Sequence, residues 1–264
     1  MTIQKNPRID FVRCPDCFGI SADMMPLPHV LDDYYANYYS RVEKELITFS
    51  KPIRMAQMLM RWIKPEDSVA RILDYGGGDG RIAVNLATLL VKQNPQRQIT
   101  VDVVDYVDKK PLEVSPHVLV RYDRGLQDAK ESADIVLASA ILEHIPDYYA
   151  EMSKLWATLR PGGLFYTRTP YMSPFARIFK SLDMTYPAHV HDLGHAFWNR
   201  AAETQGVTVL ASQPSIIETT LDSHFLRTVI AAVCKFPAHV LSMLNLPIVW
   251  PFYGGWQVIW KKSS

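Results

Sequence analysis

The stretch RILDYGGGDGRIAVNLA, residues 71 to 87, sets an apolar run directly before four glycines and an apolar-periodic run directly after them. An apolar run that stops at a glycine cluster and restarts at helical spacing reads as a strand, a tight loop and the first turns of a helix. Glycines at such a junction let the backbone turn sharply and approach a ligand lying over the helix N-terminus. Asp74 and Asp79 share the loop and limit what that ligand is. A pyrophosphate there would lie near both carboxylates, at a cost of ~1 kcal/mol or more for each close pair. The loop carries no G-K-[ST], so it is not a P-loop either. A ligand with positive charge and no phosphate fits better, and S-adenosylmethionine, with its sulfonium and α-ammonium groups, is such a ligand.

From about Val69 onward, short β-branched runs alternate with helix-length amphipathic runs, the pattern of an α/β fold with a parallel sheet covered by helices. We expect strands at 70–75, 99–105, 117–122, 133–139, 162–169, 207–213 and 255–261, and helices at 51–63, 79–92, 147–159, 194–205 and 224–244. Gly206 is a stop signal just past the fourth of these helices. Residues 1–68 differ in kind, with a C-x-x-C, a Pro-rich turn and a tyrosine cluster, and read as an N-terminal extension to a domain over 69–264. An apolar segment at about 222–252 is longer than a plain crossover needs.

The 264 residues and a hydrophobic fraction of 48% suffice for one large core. A formal charge of +1 and the lack of any Lys/Arg block argue against a nucleic-acid partner. Three cysteines make no disulfide framework, and the chain start lacks a secretory pattern, so a cytoplasmic location is the expectation. The span from Thr228 to Trp250 is broken by Lys235, Pro237, His239, Asn245 and Pro247, which disfavours a transmembrane helix but leaves peripheral membrane contact open.

The second anchor is ITVDVVDYVD, an apolar run ending in Asp105. A carboxylate at such a strand end accepts hydrogen bonds from both ribose hydroxyls of a nucleoside ligand. It lies further along than the roughly 20 residues of the dinucleotide fingerprint, and LLVKQNPQRQ reads as a lengthened helix end and loop that accounts for the difference. Tyr106 follows, placed to lie against adenine, whereas Asp102 and Asp108 read as solvated.

With these anchors in place the chain resembles the class I S-adenosylmethionine-dependent methyltransferases. ILDYGGGDG, VDVVDY, ADIVLASAILEHIPD and LRPGGLFYTRTP stand in the family's order between residues 72 and 170. The resemblance implies a doubly wound, Rossmann-like sheet of seven strands, mostly parallel, with GGWQVIW as an antiparallel last strand. It implies that Gly76 and Gly78 lie beside the cofactor's methionine part, with Asp74 supporting the loop and the amine. Asp105 then takes the ribose, Asp123 lies near adenine, and Ser139 and Ala140 lie under the cofactor. Gly77, where many relatives carry Cys, changes little.

The N-terminal CPDCFGISADMMPLPHVLDDYYANYYS is similar to the lead-in of methyltransferases that act on sugars and other small metabolites. Only half a zinc ribbon is present, since Cys14 and Cys17 supply two of four ligands, and no metal centre is expected; a zinc site completed by other residues or by a second chain is the alternative. Tyr34, Tyr35, Tyr38 and Tyr39 set two pairs on adjacent helix faces; one pair packs, and the other, with Tyr39, closes over the cofactor.

Methyl transfer to a hydroxyl requires that its proton be removed. His144 in LEHIPD and His191 in YPAHVHDLGHAFW are the candidate bases, with His189 as a binding alternative and His195 as a packing residue. The expected activity is O-methylation of a sugar or related small molecule. A quinone or lipid methyltransferase, a nicotinamide-dependent oxidoreductase and a non-catalytic binding protein are the alternatives, and the oligomeric state is left open.

Overall fold

A computed structural model describes residues 2–41, 52–65, 67–105, 114–126, 130–173, 186–215 and 255–263, with Val229, Val233, Phe236, Pro237, Val240 and Leu244; over 36–41 it describes the backbone alone. The chain opens with strands β1 (Thr2–Lys5), β2 (Arg8–Arg13) and β3 (Ile20–Ala22), then helices α1 (Pro28–Arg41) and α2 (Pro52–Leu59). There follow β4 (Arg71–Tyr75), α3 (Arg81–Gln93), β5 (Ile99–Val104), β6 (Val118–Asp123), β7 (Ala133–Ser139), α4 (Tyr148–Thr158) and β8 (Leu159–Pro170). The chain closes with β9 (His191–Asp192), α5 (His195–Gln205), β10 (Thr208–Pro214) and β11 (Gly255–Lys261).

Seven strands form one sheet in the order β10-β11-β8-β7-β4-β5-β6. β4 runs parallel to both β5 and β7, while β11 runs antiparallel to β8 and β10. All seven positions of β7, ADIVLAS, are buried, as a central strand covered on both faces requires. The chain winds outward from β4 through β5 to β6, then returns to the other side of β4 at β7. This reversal opens a crevice at the carboxyl ends of β4 and β7, where ligands bind in doubly wound sheets.

Both faces of the sheet carry helices because the helices are one-sided. In α3, Ala83, Leu86, Ala87 and Leu90 point inward and pack with Met55, Ala56 and Leu59 of α2 on Ile72 and Val101. On the other face Leu155 of α4 and Phe197 and Trp198 of α5 pack on Phe165, Trp256 and Trp260. Trp198 is fully buried and donates its indole N–H to Thr169 Oγ1 and the Leu193 carbonyl, each at 3.2 Å. Complete burial of side chains of this kind contributes about 1.5–3 kcal/mol each. Helix α5 stops where Gly206 takes a left-handed conformation, φ 61°, and its N–H reaches back to the carbonyls of Ala202 and Glu203.

The N-terminal residues hold a small sheet that periodicity does not announce. β1, β2, β3 and β9 form it in that order, with Ser21 opposite His191. Its last strand thus comes from the segment between β8 and α5, so the strands of residues 2–22 are tied by hydrogen bonds to the chain that follows β8. Of the expected apolar segment at 222–252, most lies outside the described residues, including Trp250; Val233, Phe236 and Leu244 are exposed. No helix among the described residues is long and apolar enough to cross a membrane.

Candidate active site

The loop from β4 to α3 is stitched to the neighbouring strand. The Gly76 N–H donates to the Val104 carbonyl at 2.8 Å, and the Gly78 N–H to Asp105 Oδ2 at 2.8 Å. Gly76 has φ +66°, and a Cβ there would come within 2.5 Å of Ile141, so the close approach of this loop to the turn after β7 requires glycine. At Gly78, φ +59°, a Cβ would meet nothing within 4 Å: the backbone faces open space beside Asp105.

Asp74 is buried and its Oδ2 has no hydrogen-bond partner among the described residues. Burial first, then the charge of Asp105, pushes its carboxyl up to about 7, against a hydrogen bond from the Ala83 N–H; Asp79 adds to the rise. The carboxylate fills the space that a Cβ on Gly77 would occupy, 2.4 Å from Cγ. Asp79 is different: Arg81 pairs with it at 2.6 Å. Asp79 thus has a cationic partner within the loop, whereas Asp74 Oδ2 has none among the described residues.

Asp105 is half-buried at the end of β5, and its N–H donates to the Asp123 carbonyl at 3.0 Å, so the strand ends of β5 and β6 sit side by side. Asp123 itself is exposed and borders a cleft of ≈ 110 Å³ together with Val104, Tyr122, Gly125 and Leu126. Tyr106 lies outside the described residues, and of Tyr39 only the backbone, in α1, is described. Ser139 ends β7 and its hydroxyl accepts from Arg168 Nε at 2.8 Å. Ala140 takes φ 57°, uncommon for a residue with a Cβ, and its N–H bonds to the Arg168 carbonyl. An orphaned buried carboxylate, an open glycine backbone and a second carboxylate beside it are the features a cationic nucleoside requires, so these residues fit S-adenosylmethionine.

A second group of polar side chains lies just past β7, on a 3-10 turn formed by Leu142–His144. Glu143 is 1% exposed, with Oε2 lacking a partner among the described residues. Burial drives its carboxyl up to about 8, opposed by a backbone N–H and by the charge of Arg168, with Asp192 adding to the rise. His144 Nδ1 lies 2.8 Å from the Ala188 carbonyl, which can only accept, so Nδ1 carries the proton and Nε2 faces Glu143 Oε1 at 3.7 Å. The His189 ring stands 4.7 Å from that of His144, and burial, then His144, holds its pKa down at about 4. Tyr35 of α1 sets its ring edge-on to His144 at 6.2 Å. Of the four tyrosines, Tyr34 and Tyr35 have described side chains, and Tyr35 is the one set against this cluster.

His191, the other expected base, sits elsewhere. Its Nδ1 is 2.8 Å from Ser21 Oγ, and its Nε2 faces the carbonyls of Ile145 and Pro146 at 2.9 and 3.1 Å. Two carbonyls require Nε2–H, and the hydroxyl of Ser21 then donates to Nδ1, so no ring nitrogen is left for an acceptor. The expectation that His191 faces the acceptor is corrected on this geometry: it clamps the small sheet to the turn before α4. His195 starts α5, 5.3 Å from the Trp256 ring, in a packing position. Cys14 and Cys17 are free thiols. Sequence reading named His144 and His189 separately and passed over Glu143, whose only signal was an acid beside His144 in LEHIPD.

A switch-point crevice with a glycine loop, an acidic strand end and a polar cluster across from it defines a class I methyltransferase domain. Residues 50–212 match the methyltransferase domain family, and the chain belongs to it. The trans-aconitate 2-methyltransferase of Deinococcus radiodurans is 30% identical over 126 residues, 46% of this chain and 44% of that protein. The enzyme of the same name from Rhodopseudomonas palustris is 28% identical over 142 residues, 52% of this chain and 50% of that one. The chain thus spans about half the length of the curated relatives it matches. In fold it is similar to a Burkholderia thailandensis 1,6-didemethyltoxoflavin-N1-methyltransferase solved with its acceptor and S-adenosylhomocysteine, with TM-score 0.55, 17% identity, and 97% and 96% of the two chains covered.

Loss of the Asp105 carboxylate removes the partner of the Gly78 N–H and, on the expectation from the sequence, the group that takes the ribose. Asp105→Ala is expected to weaken S-adenosylhomocysteine binding at least tenfold, or about 1.4 kcal/mol, measured by calorimetry. Unchanged affinity in a folded variant would take Asp105 out of the site.

Proposed function

We propose that this chain transfers the methyl group of S-adenosylmethionine to a hydroxyl oxygen of a small metabolite, of the sugar class suggested by its N-terminal residues. Asp74, Gly76, Gly78 and Asp105 hold the cofactor in this reading, with Ser139 and Ala140 below it and Asp123 toward the adenine end. Bound there, S-adenosylmethionine supplies a methyl group on a sulfonium, whose C–S bonding pair stays on sulfur when a nucleophile takes the methyl. The protein's own work is to position the acceptor and to activate its oxygen.

One observation carries the reading: buried Glu143 and half-buried His144 and His189 form a polar cluster just past the end of β7, with Tyr35 against His144. A hydroxyl must lose its proton to become a competent nucleophile, whereas a carboxylate is already ionised at neutral pH and needs no such group. A cluster of two imidazoles and a carboxyl therefore favours the hydroxyl. The second reading is a carboxylate acceptor, as in the name of the trans-aconitate relatives. Arg168 favours it, since its guanidinium bonds Ser139 beside the crevice.

Product chemistry separates the two. With S-adenosylmethionine carrying a labelled methyl group and a panel of sugars, nucleotide-sugars and polycarboxylic acids, the expected product is a methyl ether that survives alkali. An alkali-labile methyl ester would overturn hydroxyl methylation in favour of the carboxylate. Labelling of none of the panel, with S-adenosylhomocysteine still bound, would count against both acceptor classes.

A further inference from the structure

Three ligand-bearing side chains meet within a small volume just past the end of β7. One atom from each of Glu143, His144 and His189 lies within 4.8 Å of the other two. We propose that Glu143, His144 and His189 form a binding site for a divalent transition-metal ion of zinc's class, with its open coordination positions turned toward the methyl acceptor. The inference rests on the reading that this cluster faces the acceptor, and it assigns the activation of the acceptor oxygen to a bound ion.

Four features of the geometry support it. Two imidazole nitrogens and one carboxylate oxygen are the donor set of catalytic sites that keep further positions open for water or substrate. Metal–ligand bonds of ~2.0–2.1 Å at a tetrahedral ion place its ligands about 3.4 Å apart. The Glu143 Oε1 to His144 Nε2 separation of 3.7 Å already lies near that value, and shifts of about 1 Å bring in His189.

The second feature is the fixed tautomer. His144 gives its Nδ1 proton to the Ala188 carbonyl, which turns Nε2 inward as a lone-pair donor. Metal-ligating histidines are commonly held by this kind of second bond, from the other ring nitrogen to a backbone carbonyl or carboxylate. Third, the backbone around His189 is clamped to the same turn on both sides. Ala188 accepts from His144, and the Val190 N–H donates to the Glu143 carbonyl at 2.9 Å. The three ligands are thus held in one register although 44 residues separate His144 from Ala188.

Fourth, Glu143 is buried with Oε2 unpartnered among the described residues. A buried polar atom without a partner costs free energy, and a carboxyl so placed must be protonated, paired or coordinated. An ion in the cluster would take the place of the proton and give the ionised carboxylate its partner. It would also polarise a hydroxyl bound at its open position, as metal ions do for bound water, with the hydroxyl proton released to solvent.

Cobalt(II) titration of the chelator-treated full chain tests the site with a readout independent of turnover. The expected result is a one-to-one complex with visible d–d absorption of low symmetry, displaced by zinc. Glu143→Gln and His189→Gln should each weaken it at least tenfold, or about 1.4 kcal/mol. S-adenosylhomocysteine binding, unchanged in both variants, shows that they are folded. Absence of the complex in the wild-type chain would overturn the site. So would a complex unaffected by either substitution, or one that shows sulfur-to-cobalt charge transfer and is lost in Cys14→Ser. Failure here with alkali-stable methyl ethers still formed would leave hydroxyl methylation standing without an ion. Cobalt bound as expected, with only esters formed, would overturn the hydroxyl reading and keep the site.

Discussion

Gly78→Ala is expected to fold and to lose S-adenosylhomocysteine affinity by at least a hundredfold, or about 2.7 kcal/mol. Gly78 has φ +59° and a Cβ there would meet no protein atom within 4 Å, so the protein itself has room for a methyl group. The cost to folding is the left-handed backbone alone, roughly 1–2 kcal/mol for a residue with a Cβ. What the methyl group would enter is the space beside Asp105, toward which the Gly78 N–H already points.

Gly162 supplies the control. It has φ +73°, a Cβ there also meets nothing within 4 Å, and it lies in the turn leading through β8, bonded to the Lys262 carbonyl. Gly162→Ala therefore carries a similar backbone cost with no effect on the ligand. Calorimetry and melting curves on the two variants decide the matter: comparable destabilisation with affinity lost only in Gly78→Ala locates the cofactor over this loop. Equal affinity in both would remove it from there.

The main sheet was legible because each of its strands carries a local signal. ITVDVV alternates and ADIVLAS is apolar throughout, and both lie within the expected strands, as does most of β8 after the RPGG turn. The small sheet was not legible, for a physical reason. β1 and β3 have four and three residues and β9 has two, and β3 finds its outer neighbour β9 only at a great distance in sequence, with Ser21 opposite His191. No periodicity builds up in so few positions.

The site divides the same way. Asp74, Gly76, Gly78 and Asp105 are carried by contiguous motifs whose spacing follows from strand, loop and helix. Glu143 and His189 come together only through the clamp of residues 188–190 on the turn after β7. The two histidines at 189 and 191 looked equivalent in sequence. In the structure His191 belongs to the two-residue strand β9, opposite Ser21, whereas His189 precedes that strand and stands against His144.

Cofactor affinity is expected to rise with pH up to neutrality because of Asp74. In the unliganded protein burial and Asp105 hold its carboxyl up at about 7, so below that pH it is mostly protonated. A ligand that sets an α-ammonium beside Asp74, as S-adenosylmethionine and S-adenosylhomocysteine both would, stabilises the ionised form, and binding in the acid range must therefore release a proton. By linkage, affinity falls by up to about tenfold for each unit of pH below 7, until the liganded pKa is reached. The stability of the unliganded protein runs the other way: a raised carboxyl pKa contributes stability that is present in full below 3.8 and lost as pH rises toward 7. Asp74→Asn should therefore stabilise the unliganded chain more at about pH 8 than at about pH 5, while weakening S-adenosylhomocysteine binding at neutral pH and removing its pH dependence. Glu143 and Asp192 also have raised carboxyl pKa values, so the comparison between wild type and variant, rather than the wild-type profile alone, isolates Asp74. Calorimetry in two buffers of different ionisation enthalpy gives the proton count directly. Affinity that stays flat across this range, with no proton released in either buffer, would show that the Asp74 carboxylate does not sense the ligand's charge and that the glycine loop alone carries the binding.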